Sequence, residues 1–166
     1  MAERDPELLE RARRIRLAIF DVDGVLTDGT LWYGPRGEEL KAFSAHDGHG
    51  IKLLAAAGVA VALLSGRRSK AVAVRARELG IKRVFQGADN KLSVFEKLLE
   101  KERLKPAAAG FMGDELVDLP VLERCGFACA PREAPEAVRN RVHYVTEAPA
   151  GRGAVRELCD LLVRAA

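Results

Sequence analysis

Two carboxylates stand two residues apart at the end of an apolar run, in Ile19-Phe20-Asp21-Val22-Asp23-Gly24-Val25-Leu26-Thr27. Side chains alternate along extended backbone, so this spacing lets Asp21 and Asp23 face one point. Two carboxylates at one point repel each other and call for a cation, a shared proton, or both. Polar groups follow three more apolar runs: Ser65-Gly66-Arg67 after residues 59–64, Gln86 to Lys91 after residues 83–85, and Gly113-Asp114 after residues 107–112. Each alone has a simpler reading. Asp-Gly favours turns, Ser65 can start a turn, Lys91 can be a solvated helix residue, and Gly113-Asp114 can be a cap. In open α/β sheets, however, ligands bind just beyond the carboxyl ends of strands, which is where all four groups fall.

The elements that must hold these groups alternate in type. A short helix over residues 6–14, with Pro6 in its first turn, leads into a strand that ends at Phe20. Residues 30–33 and 38–43 are β-prone around the turn Gly34-Pro35-Arg36-Gly37, which predicts a projecting hairpin over residues 30–43. Trp32 and Tyr33 lie on opposite faces of it, so at least one aromatic needs cover. Helices are predicted from His46 to Ala57, 69–79, Asn90 to Arg103, 116–123, a turn after Pro135, and 154–165. Strands are predicted at 59–64, 83–86, 107–112, 126–130 and 144–145. The alternation gives one α/β domain over residues 1–166: a doubly wound, Rossmann-like, mostly parallel sheet.

Composition narrows the class. A chain of 166 residues buries about 70% of its unfolded surface and needs no staples. With 27 Lys plus Arg against 24 Asp plus Glu, the net charge of +3 is too mild to argue for nucleic acid. Three cysteines, none in a CxxC pair, read as buried thiols in a reducing compartment. The N-terminal stretch lacks the apolar core of a signal peptide, and no apolar stretch is long enough to span a membrane. The expected location is the cytoplasm.

The stretch DVDGVLTDG resembles the first motif of the haloacid dehalogenase (HAD) superfamily of phosphohydrolases. Ser65, Lys91 and the Gly113-Asp114 segment with Glu115 and Asp118 match its later motifs in order. The resemblance implies that Asp21 is the nucleophile and that Asp23 is the general acid and base. It implies Mg²⁺ held by the Asp21 carboxylate, the Asp23 backbone carbonyl and the Asp114 carboxylate, with Lys91, Ser65 and the Gly66 N–H on the phosphate. The chemistry is consistent. Asp21, Asp114 and a phosphate dianion bring about four negative charges, which Mg²⁺, Lys91 and Arg67 offset.

From Ile15 onward the chain is similar to the 3-deoxy-D-manno-octulosonate 8-phosphate (KDO 8-phosphate) phosphatase family. GEELKAF, SGR with Lys70, QGADNKL, GDELVDLPV and GRGAVRELCDLL carry this resemblance. It implies hydrolysis of that sugar-acid phosphate in lipopolysaccharide precursor synthesis, with Arg67, Lys70 and Arg152 near the substrate. It implies a capless HAD domain and a homotetramer in which hairpins pair and a neighbour covers the site. The chain departs from the family at Glu115, where a second Asp is usual, and at His46, where a basic residue commonly precedes the Asp-Gly segment. GRGAVRE has no evident role as structure alone. Two alternatives remain. A phospho-accepting receiver module shares the fold and the metal but lacks an acid two residues after the acceptor. A phosphatase for nine-carbon sugar acids tends to carry Glu where this chain has Arg67.

Overall fold

The computed structural model describes residues 5–37 and 39–166. Along the chain these form α1 (Pro6–Arg13), β1 (Leu17–Phe20), β2 (Trp32–Tyr33), β3 (Glu39–Leu40), α2 (Ala45–Ala56), β4 (Ala60–Leu64), α3 (Lys70–Glu78) and β5 (Arg83–Phe85). There follow α4 (Lys91–Glu102), β6 (Ala109–Met112), α5 (Leu119–Leu122), β7 (Phe127–Ala130), α6 (Glu136–Arg139), β8 (Tyr144–Val145) and α7 (Ala154–Ala165).

Every residue of β1 is buried, and the pleat divides them between two layers. Leu17 and Ile19 pack with Phe95, Leu98 and Val121 on one side of the sheet. Ala18 and Phe20 pack with Ile51, Leu54, Leu158 and Leu162 on the other. A strand covered on both faces belongs in the middle of a parallel sheet, and six strands pair in parallel in the order β5-β4-β1-β6-β7-β8. The chain builds outward from β1 through β4 to β5, then crosses to β6 and builds the other way. The crevice beyond β1 and β6 is therefore the switch point at which such sheets bind ligands.

The helix starts follow from local chemistry. Asp5 accepts from the N–H groups of Glu7 and Leu8 at 3.0 and 3.3 Å, and Asn90 accepts from Ser93 N at 2.9 Å. Helix α7 is preceded by Gly153, which has no side chain to cap it. The cap comes from Asp47, 1% exposed on α2, which accepts from Gly153 N at 3.4 Å and Arg156 N at 2.9 Å. Gly50 lets the two helices meet, since a Cβ there would lie 2.8 Å from Arg156 Cδ. GRGAVRE thus has the structural role that its sequence does not reveal.

Three elements differ from expectation. The hairpin strands shrink to two residues each, paired Trp32 with Leu40 and Tyr33 with Glu39; an isolated two-stranded ribbon gains little from further pairing. Glu38 lies outside the described residues. The helix expected over residues 116–123 divides into a 3-10 turn (Leu116–Asp118) and α5, with Pro120 in the first turn of the latter. Residues 106–108 form a 3-10 turn, so β6 starts at Ala109. Cys125, Cys129 and Cys159 are buried and free. Among the described residues, no helix is long and apolar enough to cross a membrane.

Replacing Asp47 with Ala leaves two partly buried amides without that acceptor. Asp47→Ala is expected to cost about 1–3 kcal/mol in urea unfolding, and Asp47→Asn to keep most of that stability. A loss below about 0.5 kcal/mol for Asp47→Ala contradicts the cap.

Candidate active site

Backbone pairing carries Asp21 to the end of the sheet, where its N–H donates to Met112 O at 3.0 Å. The chain then turns sharply. The N–H groups of Val25, Leu26 and Thr27 all reach Val22 O, and Thr27, 2% exposed, accepts from Gly24 N at 3.3 Å and Gly29 N at 3.2 Å. Gly24 adopts φ +80°, and a Cβ there would lie 2.0 Å from Asp114 Oδ2. Only glycine lets this turn meet the end of β6. The loop is backed by Gly151, whose N–H donates to Val25 O at 3.1 Å and whose Cβ would lie 2.6 Å from Asp28 N.

Lys91, the first residue of α4, is 7% exposed. Its ammonium donates to Asp21 Oδ2 and to Asp118 Oδ1, both at 2.7 Å. Burial disfavours charge on Lys91, but Asp21 and Asp118 overcome that and raise its pKa. Asp118 is fully buried, and its other oxygen accepts from Asp114 N at 3.0 Å and Glu115 N at 3.1 Å. Both Asp118 oxygens are thus engaged, which makes it an anchor for Lys91 and for the 114–118 loop. Gly113 permits this, because a Cβ there would lie 2.7 Å from the Asp118 carboxyl. Glu115 accepts from Leu116 N at 2.7 Å, so it caps the 3-10 turn.

Carboxylate oxygens of Asp21, Asp114 and Asp118 all lie within 4.8 Å of one another. Burial pushes Asp21 up to about 6, partly offset by Lys91. Burial, then Asp21 and Asp118, push Asp114 up to about 7. One ammonium among three carboxylates leaves a deficit of two charges, which one divalent cation would cancel. The donors are all oxygen, as Mg²⁺ prefers. Asp21, Asp114 and Asp118 are the side chains grouped closely enough to hold it.

A cavity of about 490 Å³ opens here, lined by Asp21, Asp23, Ser65, Gly66, Arg67, Lys91, Asp114 and Glu115 among others. Ser65, 3% exposed, accepts from Arg67 N at 3.3 Å, and its carbonyl accepts from Ala88 N at 3.0 Å. Gln86 accepts from Ser69 N at 2.7 Å, holding the start of α3. The structure therefore brings together most of the residues singled out from the sequence. Arg152 lines an adjoining hollow that shares Gly24, Gly29, Asp114 and Glu115 with the cavity. Lys70 lines a separate hollow with Arg36, Arg68 and Ser69. His46 is exposed on the first turn of α2 and does not line the cavity.

The sequence reading missed a group that the hairpin brings in. Lys41, its side chain covered, donates to Asp23 Oδ1 and lies 2.8 Å from Glu39 Oε1. Arg67 donates to Tyr33 Oη at 2.7 Å, and its guanidinium lies 3.4 Å from Glu39 Oε1 and 3.8 Å from Asp23 Oδ2. Arg67 is thus tied to the hairpin as well as to the cavity. A signal was available: Glu39 and Lys41 are opposite charges on one face of a strand whose other face carries Leu40.

No family model matches the chain. It is 46% identical over 160 residues to the KDO 8-phosphate phosphatase KdsC of Salmonella typhimurium, spanning 96% of this chain and 85% of that protein. The Escherichia coli protein of the same name is 45% identical over 159 residues, at 96% and 85%. A crystal structure of the Yersinia pestis KDO 8-phosphate phosphatase superposes with a TM-score of 0.94 at 42% identity, covering 96% of this chain and 86% of that one. A Moraxella catarrhalis KDO 8-phosphate phosphatase, solved with magnesium, phosphate and KDO, gives 0.94 at 38% identity, covering 96% and 91%. With this identity along almost its whole length, and with the acidic pair, lysine and third carboxylate gathered at one switch point, the chain belongs to the KDO 8-phosphate phosphatase family of the HAD superfamily.

Proposed function

We propose that this protein is a Mg²⁺-dependent phosphomonoesterase that hydrolyses KDO 8-phosphate to KDO and phosphate through an aspartyl phosphate on Asp21. The observation that carries the proposal is the meeting of Asp21, Asp23, Ser65, Lys91 and Asp114 around one cavity. The substrate comes from relatives named for it and from the one solved with KDO and phosphate. The free, buried cysteines support a cytoplasmic setting.

In the first half of the reaction an Asp21 oxygen bonds to phosphorus as the ester P–O bond breaks. The proton on Asp23 passes to the departing sugar oxygen. In the second half a water oxygen bonds to phosphorus, its proton passes to Asp23, and the bond to Asp21 breaks. Ser65 and the Gly66 N–H hold phosphoryl oxygens, while Lys91 aims Asp21 and balances its charge. Mg²⁺, held by Asp21, the Asp23 carbonyl and Asp114, supplies the remaining positive charge when bound. Arg67 and Arg152 face the sugar acid, and Glu115 and Asp118 shape the loop that presents Asp114. Lys70 and His46 receive no place in the site of a single copy.

We also propose a homotetramer joined through the hairpins. Leu31, Trp32 and Leu40 are exposed together, Trp32 and Leu40 as a cross-strand pair at 61% and 65%. An open ribbon with such a face is an association surface, and pairing with other copies would roof a cavity that has no cap of its own.

Two outcomes test these readings. With Mg²⁺, the protein is expected to release phosphate from KDO 8-phosphate in preference to a nine-carbon analogue, and Asp21→Asn to lower kcat by roughly 10⁴-fold or more while staying folded. Wild-type turnover by folded Asp21→Asn excludes the mechanism. Leu31→Glu and Trp32→Glu are expected to dissociate the assembly in light scattering and lower kcat/KM in the same fractions. Tyr33 is unsuited to this test, because it bonds Arg67. A fully active monomer contradicts the assembly.

A further inference from the structure

The hairpin reaches Asp23 through the side chain of Lys41. Lys41 does not line the cavity, yet its Nζ donates to Asp23 Oδ1. Glu39 Oε1, 2.8 Å from Lys41 Nζ, holds the ammonium from its other side. Glu39 is itself 3.4 Å from Arg67 Nη2. This network fixes one oxygen of a carboxyl group whose other oxygen lies on the side of Arg67, 3.8 Å from its Nε.

An ammonium has donors and no acceptor. The Asp23 oxygen that faces Lys41 is therefore the poorer seat for a proton, because the ammonium sits directly against it, whereas the Arg67 guanidinium stands 3.8 Å from Oδ2. When Asp23 is protonated, the proton is favoured on Oδ2, and both Asp23 and Arg67 line the cavity. We propose that Lys41 is a positioning residue for the acid–base step: it holds Oδ1 so that Oδ2 alone exchanges protons. In the first half the Oδ2–H bond breaks as the O–H bond of the departing alcohol forms. In the second half a proton of the attacking water returns to Oδ2. Lys41 keeps its own protons throughout. The inference rests on the assignment of Asp23 as acid and base.

The leaving group separates this role from simple support of the hairpin. KDO 8-phosphate releases an alkoxide that needs a proton, whereas p-nitrophenyl phosphate releases a stable phenolate that does not. The ratio kcat/KM reports only the steps up to the phosphoenzyme. Lys41→Met is expected to lower kcat/KM by about 10- to 100-fold on KDO 8-phosphate and by less than about threefold on p-nitrophenyl phosphate. Lys41→Arg, which keeps a donor, should recover most of the loss. If Lys41→Met melts early, Lys41→Leu, which also lacks a donor, carries the same comparison. Equal losses on both esters, or none on either, overturn the proposal. Asp23→Asn, measured in parallel, should show the same selectivity. Selectivity in Asp23→Asn alone leaves the assignment of Asp23 standing and removes the role of Lys41. Its absence in Asp23→Asn removes that assignment and the proposal with it.

Discussion

Three carboxylates and a single ammonium converge beyond the ends of β1 and β6, and the local architecture answers to that charge. Lys91 bridges Asp21 and Asp118 at 2.7 Å each, while Asp114 stands beside them without a direct ion pair of its own among the described residues. Like charges so close in a partly buried site cannot all ionise cheaply, and Asp21 and Asp114 are accordingly pushed up to about 6 and about 7. Glycine at 24 and 113 is the steric counterpart. A side chain at either position would overlap Asp114 or Asp118. The strain of bringing the acids together is what makes the site a receptor for a divalent cation and a phosphoryl group.

Two remote segments keep this arrangement in place. The Gly-Arg-Gly loop before α7 supports the turn after β1 through Gly151, while Asp47 of α2 caps α7 itself. The hairpin reaches the site from the other side through Lys41, Glu39 and Tyr33. Its ionic face is turned inward to Asp23 and Arg67, and its apolar face, Trp32 with Leu40, is turned outward. One small element thus joins an exposed apolar surface with residues that line the cavity.

What was legible in the sequence follows from periodicity and adjacency. The apolar run ending at Asp21 announced a buried strand, and Asp21 and Asp23 announced themselves by spacing. Ser65, Lys91 and Asp114 emerged because each follows an apolar run that became β4, β5 or β6. Residues that act through long-range pairing were hidden. Lys41 lies 18 positions from Asp23, and Asp47 lies 106 from the helix start that it caps. Asp118 stood in a matching motif without a role, and only the fold shows it fully buried under Lys91. Lys70, in contrast, was drawn toward the site by its place in a matching block, and the geometry of α3 turns it into a separate hollow.

Buried negative charge at the switch point is expected to oppose folding until a divalent cation neutralises it. Asp21 and Asp114 have folded-state values near 6 and 7 against an ordinary 3.8. At these two groups the folded protein binds more protons than the unfolded chain between about pH 4 and pH 7, so they make stability fall as pH rises through that window. His143, held down by burial, and Asp28, Glu39 and Glu102, held down by hydrogen bonds, act in the opposite sense, so the informative quantity is the difference made by the metal. The most direct measurement is the thermal midpoint with and without Mg²⁺ at pH 5 and pH 8, with Asp114→Asn beside the wild type. The account predicts strong stabilisation by Mg²⁺ at pH 8, little at pH 5 where protons compete for the same oxygens, and a much smaller effect in Asp114→Asn. Equal stabilisation at both pH values, or none at pH 8, contradicts it.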